Sequence, residues 1–186
     1  MLNIIIERKR KSYDFKNDPK KPAGFDNNYK NNMQDIFVLF DDKAEIARFR
    51  CQSVANYNFG KEATYSTFEW GDTIKEGYFT VKCFVEPRAF HGEIHGICDT
   101  QDVDGEKIDR NSMQLNVRGE SVGRWLIHDK WSNSKNCESE YAWSSGCIIL
   151  SCSDLECFNR LLRAYNIKPG DKIKGQIVEE TVSVTP

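Results

Sequence analysis

Apolar residues along this chain come in short bursts separated by polar, turn-rich stretches. Leu2–Arg8 holds three consecutive isoleucines and ends in charge, which predicts a strand. Residues 36–40 are a continuous apolar run, Asp41-Asp42-Lys43 is a turn, and residues 45–51 alternate polar and apolar. That alternation is the period of a half-buried strand, so residues 36–51 predict a β-hairpin. Residues 77–84 alternate again, fed by a turn at 73–77 and ended by Pro87. Residues 113–117 and 125–128 add two further runs, with Gly119 and Gly123 turning the chain between them. The run Cys147-Ile148-Ile149-Leu150 follows, and residues 172–182 read as a final strand after the turn Lys168-Pro169-Gly170-Asp171. One segment breaks the period of two. Ser153-Asp154-Leu155-Glu156 has a capping-box pattern, and Leu155, Phe158, Leu162 and Tyr165 then recur at helical spacing up to Asn166. The chain is therefore expected to be mainly β, a sandwich or barrel of short strands with one helix in its C-terminal half.

The intervening stretches have no period. Residues 12–35 are rich in Asn, Asp, Lys and Pro and predict a long loop. Residues 55–71 carry Tyr57, Phe59, Tyr65, Phe68 and Trp70, aromatics expected to cover the core. Phe90-His91-Gly92-Glu93-Ile94-His95-Gly96 reads as a loop. On a helix, His91, His95 and Cys98 would share a face, but Gly92 and Gly96 oppose a helix, so no metal site is expected. His95 is instead a candidate to face a substrate. The acidic residues of 99–111 do not have the spacing of an EF-hand. In the polar stretch 129–143, Trp131, Tyr141 and Trp143 are candidate walls of a cleft.

With 186 residues the chain is expected to form one domain, 1–186, with a sizeable core. A net charge of −2 gives no global basic field for nucleic acid, and the basic residues near the start alternate with acids and aromatics. No stretch has the apolar length of a membrane span. Residues 2–6 are too short for a signal-peptide core, and their charges follow instead of preceding. The expected location is cytoplasmic as synthesised. Of seven cysteines none forms a CxxC pair, and most are expected to be reduced, buried and hydrophobic in behaviour.

Two residues stand out chemically. Ser144-Ser145-Gly146 is a small polar turn that delivers Cys147 into an apolar strand, and the run 125–128 ends in His128. A cysteine becomes a strong nucleophile when an imidazole takes its proton or stabilises its thiolate. Backbone N–H groups in such a turn, those of Gly146 and Cys147, are candidates to face a developing oxyanion.

Ile127-His128, a polar loop, then Ser144-Ser145-Gly146-Cys147-Ile148 resembles the motif of the L,D-transpeptidases of the YkuD type: a histidine, a similar loop, then Ser/Thr-His-Gly-Cys and a hydrophobic residue. The segment Ile74-Lys75-Glu76-Gly77-Tyr78-Phe79-Thr80-Val81 is similar to that family's turn into a Phe-containing strand, and the helix, turn and closing strand resemble its ending. The resemblance covers about residues 36–182 and implies an L,D-transpeptidase type of β-fold. It also implies a nucleophile at Cys147, its base at His128, an oxyanion turn at Gly146 and supporting positions at Ser144 and Ser145. His95, as a second base candidate, Trp131 and Trp143 would then flank the substrate. The implied reaction is attack on an L,D-peptide carbonyl of a peptidoglycan stem, giving a thioacyl-enzyme with no cofactor or metal. An amine or water would resolve it. Three positions depart from the family: Ser145 replaces a second His, Ile149 replaces an Arg, and Asp129 replaces a Gly. The alternative expectation is an inactive wall-binding or assembly protein of the same fold. Either role would require delivery to the wall by a non-classical, phage or secretion-system route.

Overall fold

The computed structural model describes residues 1–9, 33, 35–54, 73–85, 93–101, 107–108, 114–115, 121–122, 125–129, 144 and 146–179. Eight strands close into a barrel. In chain order these are β1 (Leu2–Arg8), β2 (Asp35–Asp41), β3 (Ala44–Gln52), β4 (Gly77–Val85) and β5 (Ile94–Cys98), then β10 (Leu126–Asp129), β11 (Ile148–Leu150) and β12 (Lys172–Glu179). Their order around the barrel is β1-β12-β4-β5-β10-β11-β3-β2. Between β5 and β10 the chain forms two small two-stranded ladders, β6 (Thr100–Gln101) with β7 (Lys107–Ile108) and β8 (Gln114–Leu115) with β9 (Ser121–Val122). The hairpin expected over 36–51 is the β2–β3 pair. Two pairings are parallel, β1 with β12 and β10 with β11.

Alternation along the strands sorts the side chains. Ile4, Ile6, Phe37, Leu39, Phe49, Cys51, Val81, Ile97, Ile127, Ile148 and Leu150 belong to one buried cluster that fills the barrel. The one helix among the described residues, α1 (Cys152–Ala164), adds Leu155, Phe158 and Leu162 to that cluster. Tyr165, the fourth residue of the expected stripe, is the C-cap and is exposed. The helix opens two residues earlier than the capping pattern at Ser153 suggested. Ser151 is the N-cap and its Oγ accepts the Asp154 N–H at 3.1 Å, because β11 already delivers Leu150 to the helix start.

Close approach is visible at Gly175 of β12. It pairs with Phe79 of β4, and a Cβ built there would overlap the Phe79 ring. Gly175→Ala is expected to destabilise the fold by about 1–3 kcal/mol through overpacking, read as a lower urea midpoint. Phe79→Leu in the same chain should restore part of that loss. An unchanged midpoint in the single variant would show that the ring has room to move.

At the end of the barrel where β1 and β3 finish, a buried polar knot ties five segments. Arg8 donates from Nε to Ser53 Oγ at 2.9 Å, from Nη2 to the carbonyls of Ser53 and Ile74, and from Nη1 to Glu179 at 3.1 Å. Asp35 accepts from the Ser53 hydroxyl at 2.6 Å and from the Lys9 and Ser53 backbone N–H groups. A guanidinium with 1% exposure is sustained because its donors are matched.

Candidate functional site

Register places Cys147 and His128 on the same side of the barrel wall. In the parallel β10–β11 pair, Ile127 lies opposite Ile148 and His128 opposite Ile149. Ile127 and Ile148 point inward to the core, so His128, Ile149 and Cys147 fall on the outer face. Packing agrees for the cysteine. Cys147 is partly exposed and touches two outer clusters, Met33 with Ile149 on one side and Val85, Ile94 and Leu126 on the other. From His128, Cys147 is one strand across and two residues along. With strands about 4.8 Å apart and a rise of about 3.3 Å, their Cα atoms are diagonal neighbours at about 8 Å. That separation is within the combined reach of an imidazole and a thiol.

His128 has its tautomer set locally. Its Nδ1 lies 2.6 Å from the Asp129 carbonyl oxygen. A carbonyl only accepts, so Nδ1 carries the proton, and in the neutral ring the lone pair is then on Nε2. Asp129 is itself held: it is 8% exposed and its Oδ2 lies 3.6 Å from Cys152 Sγ, in the first residue of α1. Cys152 is disulfide-bonded, so that sulfur has no proton to give and the contact is one of packing. A helix N-terminus is also a favourable place for a carboxylate. The helix start, Asp129 and the imidazole thus form one positioned series.

The turn before the cysteine is built by Ser144 and Gly146. Ser144, 2% exposed, donates its hydroxyl to the Cys147 carbonyl at 2.6 Å and accepts the Gly146 N–H at 2.9 Å. Gly146 has φ 133°, a left-handed conformation that favours glycine. Ser144 is therefore the clasp of the turn, and the Gly146 N–H is directed at Ser144 Oγ instead of at a bound oxyanion. Ser145, Trp131 and Trp143 lie outside the described residues, as do His91 and the aromatics of 55–71.

His95 stands elsewhere than expected. It belongs to strand β5, not to a loop, and is 0% exposed. It pairs with Ile127 and so points inward, away from Cys147. Its Nδ1 accepts the Phe84 N–H at 3.1 Å, and its Nε2 donates to Asn159 Oδ1 at 2.7 Å. Asn159 in turn donates to the Glu93 carbonyl at 3.0 Å. The rings of Phe84 and Phe158 lie against the imidazole, each with a centroid separation of 5.1 Å. With both nitrogens occupied and the ring enclosed, His95 faces no substrate and serves no thiol. Burial holds its pKa down at about 4, against the help of the Asn159 hydrogen bond. Its role is to complete a bulge: the β4–β5 register shifts between Lys82 and Val85, Phe84 has φ 49°, and His95 accepts the N–H there. Cys98, three positions on, points to the opposite face of β5, so the two share no ligand position. No group of side chains among the described residues is arranged to hold a metal ion.

Of the other cysteines, Cys51, Cys83 and Cys98 are free and buried, and Cys157 is free and exposed on α1. Burial pushes the Cys51 thiol well up, the Cys83 thiol to about 12, and the Cys98 thiol upward. Among the described free cysteines, Cys147 and Cys157 are the ones that solvent reaches.

The chain is 43% identical over 180 residues to a Treponema pallidum (strain Nichols) protein described as uncharacterized, across 96% of this chain and 80% of that protein. This chain belongs to that protein's family. No protein-family model matches it, and no solved structure matches it. Nor is any helix among the described residues long and apolar enough to cross a membrane.

Proposed function

We propose that this chain is a cysteine-dependent acyl-transfer enzyme of L,D-transpeptidase type, an L,D-transpeptidase or L,D-peptidase acting on peptidoglycan stem peptides. The observation that carries the reading is the His128 tautomer: Nδ1 is tied to the Asp129 carbonyl, on the same outer face and one strand away from a partly exposed Cys147. His128 Nε2 takes the Cys147 proton, and the thiolate attacks the peptide carbonyl carbon. The carbon–nitrogen bond breaks, the leaving amine takes the proton back from His128, and a thioester remains on Cys147. An acceptor amine or water attacks the thioester and releases the thiol. The resemblance at residues 127–128 and 144–148 supports the choice of stem peptides.

The second reading is a non-catalytic wall-binding or assembly protein of this fold. One observation favours it: the Gly146 N–H is engaged by Ser144. Incubation with synthetic L,D-tetrapeptide stems separates the two. The enzyme reading expects a thioester adduct on Cys147 by intact mass and peptide mapping, lost in Cys147→Ser. Stem binding without adduct or product, in a protein whose Cys147 is alkylated normally, would favour the binding protein.

A further inference from the structure

The chain has seven cysteines. Cys51, Cys83, Cys98, Cys147 and Cys157 are free, and Cys152 is disulfide-bonded. The one cysteine left to pair with it within the chain is Cys137, which lies outside the described residues. The pairing is thus reached by elimination. The place of the bonded sulfur gives it meaning. Cys152 opens α1, and its Sγ lies 3.6 Å from Asp129 Oδ2. Asp129 pairs with Leu150, two residues before Cys152, and the Asp129 carbonyl holds His128 Nδ1 at 2.6 Å. Along the chain, Cys137 stands between His128 and Cys147. A ring closed between 137 and 152 therefore contains Ser144, Gly146 and Cys147, and it is fastened beside the residue that orients the imidazole.

We infer that Cys137 and Cys152 form a disulfide that acts as a positioning staple for the Cys147–His128 pair, so that the site is fully assembled only where thiols are oxidised. The positioning half rests on the reading of Cys147 as the nucleophile; the bond itself does not. A closed ring has fewer conformations open to it than a free segment, so the bond narrows what the turn at 144–147 can do. Forming it takes a pair of electrons and a pair of protons from the two thiols. The oxidant is a disulfide of a second molecule, which becomes two thiols. Reduced thiol pools of a cytosol oppose that exchange, and oxidising compartments outside it allow it. Mature peptidoglycan, the substrate class proposed above, is met on the oxidising side.

Protein equilibrated in a buffer of oxidised and reduced glutathione, then mapped without reduction, should yield the Cys137 and Cys152 peptides joined and lighter by a pair of hydrogens. Alkylation of Cys147 by iodoacetamide is then followed across pH in that oxidised protein and in the double variant Cys137→Ser, Cys152→Ser. The variant is expected to slow Cys147 about tenfold at pH 7 and to move the midpoint of its pH–rate profile upward. Cys157, free and exposed on α1, should be unchanged. Wild type reduced with tris(2-carboxyethyl)phosphine gives the same comparison without substitution. Cys51, Cys83 and Cys98 are buried, so they stay unlabelled while the barrel is intact. A free Cys137 in the oxidised protein, or Cys152 joined to a second chain, overturns the pairing and leaves the nucleophile standing. A mapped bond whose removal leaves the rate and midpoint of Cys147 unchanged, or opens the whole barrel, overturns the positioning role. If Cys147 stays silent with the bond in place until the chain unfolds, the positioning role falls together with the enzyme reading.

Discussion

His128→Ala is expected to slow alkylation of Cys147 by iodoacetamide at pH 7 by about a hundredfold, the scale of a positioned proton acceptor. The thiolate is the reactive form, and a neutral imidazole with its lone pair on Nε2 is the group that generates it. The Nδ1 proton is assigned by geometry, since Nδ1 lies 2.6 Å from the Asp129 oxygen, which cannot donate, and the neutral ring then has its lone pair on Nε2. Peptide mass mapping of the folded protein reads the rate at each cysteine. Cys51, Cys83 and Cys98 should stay silent because they are buried and their thiols are held up. Cys157 should label equally in wild type and variant, which controls for reagent and pH. In the variant, Cys147 should label no faster than Cys157. An unchanged rate would mean that the role of His128 at the end of β10 is structural and nothing more, and the binding-protein reading would lead.

Much of the barrel is legible in the sequence because most of its strands are half-buried. Leu2–Arg8, Ala44–Gln52 and Gly77–Val85 alternate inside and outside, and alternation is the signal a sequence displays. Ile94–Cys98 is hidden because all five residues are buried, on both faces, so nothing alternates. His95 and two nearby glycines then imitate a loop. Closure of the barrel is hidden for another reason. It depends on the parallel pairing of β1 with β12, strands at opposite ends of the chain, and no local pattern encodes that contact.

The site divides in the same way. Cys147 and His128 draw notice because their residue types are rare at strand ends. Their common face follows only from the Ile127–Ile148 register. The group that orients His128 is a backbone carbonyl, and backbone atoms have no sequence signature. Ser144 reads as a small polar residue of a sharp turn, and its buried hydroxyl, which clasps that turn, shows only in the structure.

The second large effect belongs to His95 and concerns stability in acid. Burial lowers its folded pKa to about 4, whereas an unfolded histidine titrates near 6.5. The fold therefore keeps the ring neutral. Above pH 6.5 neither state is protonated there, and this group contributes its full stability. As pH falls from 6.5 toward 4, the unfolded chain binds a proton that the folded chain refuses, and stability drops by up to about 3 kcal/mol. Below pH 4 the folded ring is protonated as well. Its Nδ1 must then give up the Phe84 N–H, which faces a second donor, and the β4–β5 bulge loses its acceptor. Glu93 and Arg163, ion-paired with each other outside this pocket, act on the ring in opposite directions and secondary to burial. Urea midpoints measured from pH 7 to pH 4 in wild type and His95→Gln isolate the effect from the carboxylates, which both proteins share. A glutamine amide offers one acceptor toward Phe84 and one donor toward Asn159, but it does not titrate. The variant is expected to start lower at pH 7 and to lose less on acidification, so the two curves converge toward pH 4. Parallel curves would show that His95 is protonated without cost in the folded barrel, and that its enclosure by Phe84, Phe158 and Asn159 does not hold in solution.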